Sequence, residues 1–264
     1  MTPITFPCGP DRLVGSLHRP PVGNAEHVGI VFLVGGPQTR AGASRGLLHL
    51  AEGLCASGIH VLRFDWRGEG DSEGARRPFD GRDEEIHAAI QAMRETSPDV
   101  RSIFLLGLCD GASAALLHAG RRTPLADDGV SPSGLILINP WMRDDDLRPP
   151  LGSPGRLPVA LLTPFHRMRR SSVTVLESRL LEAARRARPP VLWLTARNDP
   201  TGRDALIRLR ASRWQELREK PSRLLSWAGD DHVLALPDTR IRIVAWIRRW
   251  LTDLRVIQGK DRAG

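Results

Sequence analysis

Short, strongly apolar runs alternate along the chain with stretches whose apolar residues recur at helical spacing. The runs VGIVFLV (28–34), HVLRFDW (60–66), SIFLLGL (102–108), GLILINP (134–140), PVLWLT (190–195) and RLLSW (223–227) read as buried strands. ITFPC and LVGSLHR, ahead of them, read as an N-terminal hairpin. Between the runs lie RGLLHLAEGLCASG, RDEEIHAAIQAMRE, the Ala-rich run after Cys109 and ALIRLRASRWQELREK. Each is apolar on one side and charged on the other, which predicts a helix. Strands alternating with helices predict an α/β fold: a mainly parallel central sheet with helices on both faces.

Residues 142–189 break this rhythm. They hold proline-rich turns, a basic run around Arg167, Arg169 and Arg170, and the amphipathic stretch VTVLESRLLEAARRA. So long an interval between two strands reads as an inserted helical cap, on a core made of residues 1–141 and 190–264. The segment DTRIRIVAWIRRWLTDLRVI is amphipathic and basic. It reads as a last helix packed on the sheet, with a membrane-surface helix as the alternative. QGKDRAG reads as a loose tail.

Composition narrows the partners. A chain of 264 residues can bury one sizeable core. The net charge of +8 comes from arginines spread along the whole chain, with Lys220 and Lys260 the only lysines. No RNA-binding aromatic motif, zinc spacing or basic recognition helix accompanies them, so no nucleic-acid partner is expected. Cys8, Cys55 and Cys109 are three in number and widely spaced, which is not a disulfide framework. The start, MTPITFPCGPDR, lacks a secretory pattern, and the longest apolar runs fall well short of the ~20 residues of a spanning helix. These features predict a cytoplasmic protein with no integral membrane segment.

The candidate chemistry lies in GLCDG, residues 107–111, between a predicted strand and a predicted helix. It fits the G-x-S-x-G turn that lifts a nucleophile off a sheet edge, with cysteine in place of serine. The helix start supplies oriented N–H groups and a dipole that favours a thiolate. Taken alone, Cys109 reads equally as a small buried hydrophobe. Its partners raise the functional reading. Asp199 follows the strand PVLWLT, and His232 follows RLLSW in the loop before the last helix. The order nucleophile, acid, histidine is the one this turn type carries. Asp204 is a weaker rival to Asp199, and Asp230 and Asp231 read as loop or cap residues. Asp144, Asp145 and Asp146 are consecutive acids that point in different directions with no histidine beside them, so no metal is expected, and no other cofactor.

With these residues in place, the chain resembles the α/β-hydrolases, and more narrowly it is similar to the family called exosortase A system-associated hydrolase 1. The matching segments are GGPQTRAGASRG (35–46), VLRFDWRGEGDSEG (61–74), GLCDGASAAL (107–116) and INPWMR (138–143). The R-G-x-G-D-S portion is widespread among α/β-hydrolases; G-G-P-Q-x-R and G-L-C-D are narrower. The resemblance implies an α/β-hydrolase fold and a hydrolase-like protein linked to bacterial exopolysaccharide or protein-sorting gene clusters.

For the oxyanion hole, one donor is expected to be the backbone N–H of Asp110. The second should come from the loop after VGIVFLV, where many relatives carry H-G-x. Here the loop reads Gly35-Gly36-Pro37-Gln38, and proline has no N–H. The candidates are therefore Gly36 and Gln38, the latter through backbone or side chain. Arg40 and Arg45 in the same loop, Trp141, and Arg167 of the cap are candidate substrate-binding residues. Arg40 and Arg45 read at least as well as struts to Asp65 and Asp71, and Asp65, Arg67, Asp71 and Ser72 read as turn chemistry. A free thiol with a pKa near ~8.5 is mostly protonated at neutral pH, so His232, oriented by Asp199, would activate it. The expected activity is hydrolysis of an acyl ester or thioester, small-molecule or carrier-linked, through an acyl-Cys109 intermediate. Transfer of the acyl group to an amine or alcohol, and a catalytically silent scaffold that binds a partner, are the alternatives.

Overall fold

The apolar runs become strands because each is covered on both faces. In the computed structural model, which describes residues 1–21, 23–121, 131–144, 173–219 and 221–257, β1 (Thr2–Cys8) and β2 (Asp11–His18) form the antiparallel N-terminal hairpin. The sheet continues with β3 (Val28–Leu33), β4 (His60–Phe64), β5 (Ser102–Leu108), β6 (Gly134–Ile138), β7 (Val191–Ala196) and β8 (Arg223–Trp227). Its order is β1-β2-β4-β3-β5-β6-β7-β8. β2 joins β4 antiparallel, and all pairings from β4 to β8 are parallel. This is the α/β-hydrolase fold. The crossing from β4 back to β3 and on to β5 puts the C-terminal ends of β3 and β5 side by side, with Leu33 opposite Gly107. Ligands bind at such an edge in open α/β sheets.

Among the described residues six α-helices cover the sheet. α1 (Gly46–Ala56) and α6 (Pro237–Asp253) lie on one face, where Leu47, Leu50, Leu54, Ile243, Ile247 and Trp250 are buried together. α2 (Asp83–Thr96), α3 (Asp110–Ala119), α4 (Val175–Arg186) and α5 (Pro200–Leu209) lie on the other, around Ile86, Ile90, Met93, Ala115, Leu180 and Leu209. α6 is thus a helix packed on the sheet, as its pattern predicts. Among the described residues no helix is long and apolar enough to cross a membrane.

One sequence expectation meets a different outcome. The stretch 205–220 is not one helix: α5 ends at Leu209, and isolated 3-10 turns follow at Ser212–Trp214 and Glu216–Arg218. The chain leaves the helical path so that Trp214 can pack edge-to-face on Trp193, 5.6 Å between centroids, and donate its indole N–H to buried Glu177 at 3.2 Å. Glu177 also accepts from Arg208 (2.5 Å) and Arg213 (2.7 Å), so one carboxylate joins α4 to α5 and the turns beyond it. Within the interval read as a cap, α4 is a wall of the core: Gly120 meets Ala183, and Leu180, Ala183 and Ala184 are buried with α3. Asp144 holds the start of α4, accepting from Val175 N–H and Leu176 N–H at 3.1 and 2.8 Å. The remainder of that interval, with Asp145, Asp146, Arg167, Arg169 and Arg170, lies outside the described residues.

Candidate active site

The sharp turn between β5 and α3 holds Cys109 at φ 57°, ψ −121°. Backbone in this region is strained for a side-chain-bearing residue, at a cost of about 1–3 kcal/mol, and persists only where its surroundings enforce it. Here the neighbours do so. A Cβ on Gly107 would collide with the Gly111 and Ala112 backbone, and one on Gly111 with the Leu33 carbonyl. Cys109 N–H donates to Ile138 O at 3.0 Å, and Cys109 O accepts from Trp141 N–H at 3.1 Å. Ser113 Oγ in turn donates to Trp141 O at 2.5 Å. The elbow is therefore tied to the end of β6 on both sides.

Asp199 and His232 come from the ends of β7 and β8. Asp199 is buried and caps α5, its Oδ2 accepting Gly202 N–H at 2.6 Å. That leaves Oδ1 to meet His232 Nδ1 at 3.0 Å. The two loops are joined by Asn198 N–H to Gly229 O and Arg197 N–H to Trp227 O, each 2.9 Å. Asp231 is the loop residue its position suggests: its carboxylate accepts Ala235 N–H (2.7 Å) and Leu236 N–H (2.8 Å).

His232 is bonded to Asp199 and lies beside Cys109, and these two partners push its pKa up to about 10 against the opposing effect of burial. The acid sits on Nδ1, and the sulfur is the imidazole's other neighbour. By contrast, burial pushes the Cys8 and Cys55 thiols up.

The other predicted residues fall into distinct places. Gly36 N–H donates to Asp110 Oδ1 at 2.6 Å, and Gln38 N–H donates to Gly36 O at 3.0 Å. Both backbone groups are therefore engaged within the chain. The Gln38 side chain is different. Its Oε1 accepts Ala43 N–H at 2.6 Å and its Nε2 donates to Gly35 O at 2.8 Å, which fixes the amide orientation and leaves a second Nε2–H. Arg40 is a strut: its guanidinium pairs with buried Asp65 and with Asp71, and its N–H donates to Asp65 at 2.5 Å. Ser72 Oγ donates to Asp65 O at 2.7 Å in the same turn. Arg45 is exposed at the start of α1, with φ 56°, and Gly46 beside it abuts Val233 of the histidine loop. Trp141 is half-buried with the Arg143 guanidinium 5.9 Å from its ring centre.

Two contributions escape a reading by motif. Asn139, in the left-handed region at φ 45° and fully buried, accepts Ala196 N–H at 2.8 Å through Oδ1, against which Gly202 packs. It braces the acid loop against the end of β6, to which the elbow is tied. Its signal was the tolerance of Asn for left-handed backbone just after an apolar run. The second is the Asp110 carboxylate, whose direction depends on tertiary contacts. A cavity of about 300 Å3 between β1 and α2, lined by Phe6, Cys8, Glu84 and His87, holds no triad residue. Bonded chemistry, not concavity, identifies the site. Among the described residues no group of His, Cys, Asp and Glu side chains is arranged to hold a metal ion.

No curated protein matches the chain. Its fold is similar to that of an esterase of Pyrococcus furiosus (TM-score 0.69, 15% identity, covering 96% of this chain and 91% of that one). It is similar also to Est1E of Butyrivibrio proteoclasticus, solved with ferulic acid bound (TM-score 0.68, 14% identity, 96% and 100%). A Xanthomonas campestris α/β serine hydrolase described as having no lid shares the fold as well (TM-score 0.59, 18% identity, 96% and 94%). The family model described as serine aminopeptidase, S33, matches residues 25–166, more than half of the chain. The chain is therefore a hydrolase of α/β fold and belongs to that family.

Proposed function

We propose that the protein is a cysteine-dependent hydrolase of acyl esters or thioesters, working through an acyl-Cys109 intermediate with His232 and Asp199. The observation that carries this reading is the Asp199–His232 bond, with the imidazole beside Cys109 at the strained elbow. His232, held by Asp199, takes the thiol proton of Cys109. The Cys109 thiolate attacks the acyl carbonyl carbon, and the carbonyl electron pair moves to oxygen. The Asp110 N–H and the second Nε2–H of Gln38 are the two donors for that oxyanion, with the Gln38 amide replacing the N–H that Pro37 lacks. As the bond to the leaving group breaks, imidazolium His232 gives its proton to the departing alcohol or thiol. Water then attacks the thioester, losing a proton to His232, and the Cys109 thiolate departs as the free acid forms.

Esterase names among the structural neighbours agree with an ester or thioester substrate. The Gly35–Gln38 and Gly107–Asp110 segments support the narrower kinship with the exosortase A system-associated hydrolases, and with it a small-molecule or carrier-linked acyl substrate. Intact-protein mass after brief exposure to a series of acyl thioesters and aryl esters tests the proposal. A transient acyl adduct is expected on the wild type and absent from Cys109→Ala and His232→Ala. Release of free acid marks hydrolysis, and an adduct that waits for added amine or alcohol marks transfer. No adduct across the series would contradict the proposal.

A further inference from the structure

Beside its backbone N–H, Asp110 has a side chain placed with consequence. The residue is buried at 5% exposure, and its Oδ1 accepts Gly36 N–H at 2.6 Å. Gly35 passes so near that a Cβ on it would lie 2.9 Å from both Asp110 Oδ1 and Cys109 Cβ. From this anchor the loop runs on through short bonds. Gly36 O accepts Gln38 N–H at 3.0 Å, Gly35 O accepts Gln38 Nε2 at 2.8 Å, and Ala43 N–H holds Gln38 Oε1 at 2.6 Å. The Gln38 amide is thus located by contacts that begin at the carboxylate beside the nucleophile. A charged acceptor makes the first of these bonds a strong one, roughly twice a neutral pair.

We propose that the Asp110 carboxylate is a positioning residue of the oxyanion hole: by holding Gly36 N–H it sets where the Gln38 amide stands relative to the Asp110 N–H. One residue then supplies the first donor from its backbone and places the second through its side chain. Proline at position 37 makes this arrangement matter, because it removes the loop's own N–H there. An oxyanion donor is effective only when held within ~0.5 Å of its productive position. The carboxylate moves no proton in this role. The inference rests on the acyl-Cys109 reading.

Two reactions of the same sulfur separate placement of the donor from general damage to the fold. Iodoacetamide alkylates Cys109 by displacing iodide at a saturated carbon and builds no oxyanion. Acylation by 4-nitrophenyl acetate does build one, and its burst of nitrophenolate reports the rate. In Asp110→Ala, acylation is expected to slow about 10²-fold while alkylation of Cys109 changes less than about threefold. Asp110→Asn keeps an acceptor oxygen for Gly36 N–H and is expected to recover at least about tenfold of the loss. Equal slowing of both reactions would overturn the inference, as would undiminished acylation in Asp110→Ala or failure of Asp110→Asn to recover any of it. Failure of the underlying reading looks different: the wild type itself would give no Cys109-dependent burst.

Discussion

His232 and His18 are both largely removed from solvent, and their surroundings drive them in opposite directions. His232 faces a carboxylate and a sulfur, and its pKa rises to about 10. His18, on β2, faces the Arg63 guanidinium, with Nε2 3.2 Å from Nε and 3.1 Å from Nη2. Burial first and the Arg63 charge second lower its pKa to about 4. Arg63, lowered to about 10 mainly by burial, uses neutral His18 as an acceptor and donates also to Arg40 O at 2.5 Å. One histidine is arranged to carry a proton, the other to remain without one. Burial alone does not mark a functional residue; the sign of its partners does.

The largest effects should follow from removing His232 or its partners. Cys109→Ala is expected to abolish nitrophenolate turnover, and His232→Ala to lower it by about 10³-fold or more. Asp199→Asn keeps the shape but not the charge, and should cost up to about 10⁴-fold in kcat. If turnover of Asp199→Asn matched the wild type, the Asp199–His232 bond would have no catalytic part. Asn139→Gly keeps the left-handed backbone and removes the Ala196 acceptor, so it isolates one buried bond. A loss of about 1–2 kcal/mol in a urea melt, with a smaller fall in kcat, is the expected result.

The smallest effects are pH slopes of opposite sign. His18 has a folded pKa of about 4, below the ordinary 6.5, so the stability tied to its neutrality is present above 6.5 and lost as pH falls toward 4. His18→Gln should flatten that loss in thermal melts without altering turnover. His232 has a folded pKa of about 10, so the stability it contributes is full below 6.5 and lost as pH rises through 10. Subtracting His232→Ala melts from the wild type across pH 6.5–10 should give a difference that shrinks with pH. A difference that grew would contradict the assigned partners.

Much of this architecture is legible in the sequence. Apolar runs between turn residues marked the strands because parallel strands are buried on both faces and need little polar surface. Gly107 and Gly111 flanking Cys109 announced the elbow, since only glycine clears the backbone contacts found there. Chain order singled out Asp199 and His232 from 30 acids and eight histidines. What failed to show depends on tertiary choice. Residues 205–220 look helical throughout, but burial of Trp214 against Trp193 outweighs the helical pattern. Arg40, by contrast, reads more readily as a strut to Asp65 and Asp71 than as a substrate contact, and it pairs with both. No pattern tells that the Asp110 carboxylate turns toward Gly36, because its direction is set by a loop 74 residues away.

The most direct test of a triad at Cys109 is the rate at which each of the three cysteines takes iodoacetamide at pH 7, read peptide by peptide in wild type and His232→Ala. If His232 holds Cys109 ready to react, Cys109 should label at least about tenfold faster than Cys8 and Cys55, and lose that lead in His232→Ala. Three similar rates, or a Cys109 rate indifferent to His232, would contradict it.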